Sequence, residues 1–159
     1  MTFARPDGAD QSELVVRCSE DPCVRARFSD RRFAGVGEIY AGYYEIYVAV
    51  ELVADGLRAR FDGVLFSPWE RDDLVDFLDE LVADFRGWTG RRTWKTNNLT
   101  LEAGFSSGGH IQLDWTLLPE LLSPSWRVTV TTWIEAGEQM SALATDARVF
   151  LTPPQPARR

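Results

Sequence analysis

Few residues in this 159-residue chain could do chemistry: one histidine, two cysteines and a dense run of carboxylates. His110 and Asp114 share one face of a predicted strand, and they are the types of a general base and its orienting acid. Four residues of extended chain hold their Cα atoms roughly 13 Å apart, too far for a hydrogen-bonded dyad. Cys18 and Cys23 flank Ser-Glu-Asp-Pro. A zinc site needs two further good ligands and one histidine cannot supply them, so no metal is expected. Two reduced thiols beside a turn are expected; a disulfide across a hairpin is the geometric alternative, at odds with a reducing compartment. No glycine loop for phosphates, Gly-x-Ser-x-Gly elbow, zinc-protease helix or calcium-binding loop occurs. No catalytic residue and no cofactor is therefore assigned, and the chain does not read as an enzyme.

The carboxylates are concentrated in residues 67–88, SPWERDDLVDFLDELVADFRGW. Ser67 can cap a helix, Pro68 suits its first turn, and Glu70 could close a capping box. Leu74, Phe77, Leu78, Leu81, Phe85 and Trp88 recur at helical spacing, with Val75 and Val82 on one shoulder, and Gly87 is the expected stop. From Glu70 to Arg86, seven acids against two bases leave −5 of the chain's −7. Asp72, Asp76, Glu80 and Asp84 form an i, i+4 series whose three like-charge pairs cost on the order of 1 kcal/mol. Burying the apolar side, at roughly 1.5–3 kcal/mol per large residue, outweighs that cost. Folding alone thus does not account for the acidic back. Two readings remain: a solvated face that keeps a small domain soluble, or a docking face for a basic partner. The candidate partner-binding residues are Asp72, Asp76, Asp79, Glu80 and Asp84. A convex helix face is a poor place for acid–base catalysis, which wants a cleft.

Strands must carry this helix. Residues 13–18 and 24–29 read as a hairpin, and 30–42 as a loop with 38–40 extended. Residues 43–54 alternate cleanly, Asp55-Gly56 is a two-residue turn, and 57–66 returns with a bulge at Gly63. After the helix, 89–98 reads as a turn-rich connection that carries Arg91, Arg92, Trp94 and Lys95, with Trp88 and Trp94 packing locally. Nucleic-acid stacking is the other use of such a patch. Residues 99–105, 110–117 and 126–134 are strands, and 137–151 is a second helix with Met140, Leu143, Ala147 and Phe150 inward. The expected fold is α+β: one antiparallel sheet of six to seven strands covered by two amphipathic helices. It occupies 13–151 as a single domain, with flexible tails at 1–12 and 152–159. No internal repeat stands out. Two Arg-Ala-Arg-Phe runs, at 25–28 and 58–61, reflect strand alternation.

A pI near 4.7 argues against nucleic-acid and anionic-membrane partners. The N-terminus lacks a signal-peptide apolar core, so a cytoplasmic location is expected. The segment DLVDFLDELVADFRGWTGRRTW at 73–94, with GHIQLDWTL at 109–117, resembles a family of small bacterial domains of unknown function. More distantly, the order of strands, helix, Gly-His hairpin, strand and final helix is similar to WapI-type immunity proteins of contact-dependent toxin systems. That likeness implies an antitoxin that occludes a basic toxin without turnover. Two other readings stand beside it: an accessory interaction domain, and a small-ligand carrier using an aromatic sheet face around Tyr43, Tyr47 and Trp133.

Overall fold

The computed structural model describes residues 12–35 and 44–153. The tails expected at 1–12 and 152–159 fall almost wholly outside the described residues, as do the extended piece at 38–40 and Tyr43. The elements run β1 (Leu14–Arg17), β2 (Arg25–Gly35), β3 (Tyr44–Ala54), β4 (Leu57–Phe66), α1 (Pro68–Ala83), β5 (Arg91–Lys95), β6 (Leu99–Ser106), β7 (His110–Leu117), β8 (Val128–Glu135) and α2 (Glu138–Leu151).

The α+β class holds, but the single sheet does not. There are two four-stranded sheets, β1-β2-β3-β4 and β5-β6-β7-β8, each antiparallel and in chain order. The physical reason lies in the apolar rows. Ile46, Val48, Val50 and Leu52 on one sheet are fully buried, as are Leu99, Leu101, Ala103, Ile111, Leu113 and Leu117 on the other. Two helices of 16 and 14 residues cannot cover eight strands of such surface. The sheets cover one another instead, and each helix bridges both: α1 touches β3, β4 and β5, and α2 touches β1 and β8. The chain is therefore four strands and a helix, twice over, an architectural repeat that leaves no trace in residue identity.

Two segments differ from expectation. Residues 91–95 form β5, where a connection was expected, and β2 continues to Gly35 where a loop was expected from Asp30. The cause of the second is a bulge. Register with β3 shifts between Ser29 and Arg32, and Asp30 takes a positive φ of 51°. The extra residue breaks the period-two pattern that marks a strand. On the other flank of β3, Val48 pairs with Val64 but Val50 with Phe61, which puts a second bulge beside Gly63 as expected.

The Arg-Ala-Arg-Phe runs have a shared use. They flank β3 in matching register, so Arg27 and Arg60 both oppose Glu51, and Phe28 and Phe61 both oppose Val50. Glu51 is buried, and Arg58 reaches back to it through Nε and Nη2 at 3.0 and 2.9 Å. The Arg60 guanidinium approaches the same carboxylate, Nη1 to Oε2, at 3.9 Å.

Between the sheets, Phe28 meets Trp115 edge to face at 5.5 Å, and Phe66 stacks on Trp94 at 5.6 Å. Trp115 Nε1 donates to Thr132 Oγ1 at 2.9 Å, a polar link inside the core. Thr132→Val keeps the shape but orphans the indole N–H, so it should cost about 1–3 kcal/mol. Chemical denaturation checks this: the loss should shrink in a Trp115→Phe background, where there is no indole to orphan.

Candidate functional site

The acidic ridge is the outward side of α1, and the helix is fixed at both ends. Glu70 N–H donates to Ser67 Oγ at 3.1 Å and Pro68 opens the first turn. Trp94 Nε1 donates to the Glu70 carbonyl at 3.2 Å, tying that turn to β5. Leu74, Phe77, Leu78 and Leu81 are buried, with Val75 and Val82 half-buried beside them. The helix stops at Ala83, one turn sooner than expected. Asp84 N–H still bonds the Glu80 carbonyl, and Gly87 N–H turns back to the Asp84 carbonyl. Gly87 has φ +119°, and a Cβ there would lie 2.9 Å from the Phe105 ring, so only glycine passes. Phe85, expected in the apolar face, is 51% exposed. Trp88 lies beyond the helix, edge-on to Phe105 at 5.3 Å, with the Arg92 guanidinium 4.6 Å above its ring.

The structure divides the five candidate acids. Asp79 pairs with Arg148 of α2, and Asp84 with Arg92 of β5 at 2.8 Å, so these two fasten the helix to its neighbours. Among the described residues Asp72 meets only the adjacent Arg71, at 3.4 Å. Asp76 and Glu80 are exposed and, among the described residues, lack a cationic partner, as does Asp73. At about 100° per residue, Trp69, Asp73, Asp76 and Glu80 fall on one stripe. Trp69 is 60% exposed at the stripe's N-terminal end. Asp73 and Trp69 were legible as members of that stripe from spacing alone. A cleft of about 450 Å³ runs between the helices beside the ridge, lined by Arg71, Asp72, Val75, Asp76, Arg148 and Leu151.

The other residues of chemical interest are placed apart. Asp114 on the outer side of β7 accepts from Thr131 Oγ1 at 2.6 Å, from Gln112 Nε2 at 3.1 Å and from Arg91, which also holds Glu102. His110 is not among its partners. Partial burial alone would push the Asp114 carboxyl up, but the bonds from Thr131, Gln112 and Arg91 outweigh it and hold it below the usual carboxylate range. A depressed folded-state value gives stability that is present above the unfolded value of 3.8 and lost as pH falls through the folded one. Asp114→Asn should therefore lower stability at neutral pH and flatten its decline below about pH 4, read from urea midpoints at several pH values.

Cys18 is buried, Cys23 is exposed, and both are free. Cys18 Sγ accepts from the Trp133 backbone N–H at 3.3 Å. Tyr47 and Trp133 sit on different sheets, so they form no common aromatic face. Tyr47 instead lies under the Arg32 guanidinium. Among the described residues no three of His, Cys, Asp and Glu converge as a metal cage. No described helix is long and apolar enough to cross a membrane.

Compared with known proteins, residues 17–154 match the model of a family of unknown function (DUF6228). No curated protein and no solved structure matches. The likeness to an uncharacterised family is thereby given a definite form, and nothing in the comparisons links the chain to WapI-type immunity proteins.

Proposed function

The chain belongs to this family of unknown function, and we propose that it is a non-enzymatic binding protein whose acidic α1 ridge occludes a basic protein, as an immunity protein occludes its toxin. One observation carries the reading. After Asp79 and Asp84 are engaged by Arg148 and Arg92, the outward stripe still holds Asp73, Asp76 and Glu80 in no ion pair among the described residues, although Asp76 shares the inter-helix cleft with Arg71 and Arg148. Like charges at i, i+4 weaken a helix, and a fold that needed only solubility could have interspersed lysines. A one-signed stripe steers an oppositely charged surface toward it and fixes its orientation on arrival.

Occlusion needs no bond-making groups in this chain. The rigid helix covers the partner's cationic surface, and release is governed by short-range packing. The test is co-expression with the toxic domain of a polymorphic toxin encoded beside this gene. Protection of growth and a stable complex of the two chains are expected. A neighbouring locus without such a toxin, a toxin that stays active with this chain bound, or a toxin that does not bind this chain overturns the immunity reading.

A further inference from the structure

From the apolar tip between β7 and β8 we infer that residues 119–124, together with Trp69, form the anchoring half of the docking surface, and that the occupant is a basic protein presenting an apolar recess flanked by lysine or arginine. The inference rests on the binding reading of α1 and names what its partner must look like. Leu121 and Leu122 are 62% and 82% exposed, side by side on one loop. Solitary exposed leucines need no account, but this pair is held in place. Asn98 Nδ2 donates to the carbonyls of Leu118 and Pro119 at 3.1 and 3.2 Å, and Leu118 N–H donates back to the Asn98 carbonyl at 3.0 Å. Pro119 and Pro124 restrict the two ends of the tip, and Ser123 takes a positive φ of 49°. A loop restrained at its ends in this way has less freedom for binding to remove.

The tip lies at the same end of the molecule as the start of the acidic stripe. Leu99 pairs with Leu117 and Lys95 with Thr100, so the Asn98 turn and the tip extend from one end of the second sheet. Trp94, near that end of β5, holds the first turn of α1 through the Glu70 carbonyl. Trp69 is the neighbouring residue and is 60% exposed. A standard interface covers about 800 Å² per partner, a disc roughly 30 Å across, of which the stripe from Trp69 to Glu80 takes up roughly 17 Å of helix length. Charge complementarity selects the occupant. Asp72, Asp73, Asp76 and Glu80 would repel an anionic lipid surface, and a second copy docking ridge to ridge would set like charge against like.

A photo-crosslinking residue placed at Leu122 in one variant and at Asp76 in another, each in the full chain in its own host, tests this. Both positions should yield the same conjugate by mass spectrometry, a protein of basic pI. Leu121→Asp with Leu122→Asp should cut the yield at position 76 by about tenfold or more without moving the melting temperature. A conjugate at 76 with none at 122 overturns the anchoring role and leaves the ridge reading standing. Lipid, a second copy of this chain, or a different protein at 122 also overturns it. No conjugate at either position overturns both.

Discussion

Trp115→Ala should lower stability by about 3–5 kcal/mol, the largest loss expected from a single side chain here. Three costs coincide at this position. The indole is 2% exposed and crosses from the second sheet to Phe28 on the first, so its removal opens a void where neither sheet can collapse independently. The edge-to-face contact is lost along with the buried area. Thr132 Oγ1 is left in an apolar core without the indole N–H it accepts. Urea denaturation followed by tryptophan fluorescence, with circular dichroism as a second probe, measures the effect. Trp115→Phe with Thr132→Val should recover most of it, because ring and shape persist while both polar groups leave together. Equal losses in Trp115→Ala and that double variant would show that neither the ring volume nor the orphaned Thr132 hydroxyl carries weight.

Asp76→Lys with Glu80→Lys should slow association with the proposed basic partner by roughly 10- to 1000-fold at low salt. Each replacement adds two charges, which takes the net charge from −7 to −3, all of it on the exposed stripe. Little of the difference should survive at high salt, where screening shortens to a few ångströms. The folded chain should be unharmed or slightly stabilised. The changes turn the 72–76 and 80–84 repulsions into attractions and leave one like-charge pair, lysine on lysine, at 76–80, and a lysine at position 80 suits the negative end of the helix dipole. Opposite effects on stability and association are what a surface kept for binding should show. Stopped-flow or surface-plasmon kinetics over a salt series, beside a melting curve, would decide it. An association rate that ignores both the substitutions and the salt would mark the acids as a solvated face.

Much of the architecture was legible because it rests on local periodicity. The helix start at Ser67-Pro68, the alternation across β3, β6, β7 and β8, and the Asp55-Gly56 turn are written in neighbouring residues. Errors arose where one residue interrupts the period or where a neighbour in space takes over. A bulge at Asp30 hid the second half of β2. α1 ended at Ala83, before Phe85 could turn inward, and the chain reverses at Gly87 under the Phe105 ring. The short β5 was masked because Arg91, Thr93 and Lys95 make one side wholly polar, while Arg92 and Trp94 pack beneath α1.

The order of residues alone determined the class of the fold, the amphipathic face of α1 and the excess of negative charge along its back, since each follows from spacing within one element. Tertiary structure decided that the strands form two sheets, because only facing sheets can bury so much apolar surface. It also decided which acids are spent internally, through arginines on other elements: Arg148 of α2, 69 residues from Asp79, and Arg92 of β5, across the turn from Asp84. A carboxylate's neighbours in space set its role, and those neighbours exist only once the helix has been laid across both sheets.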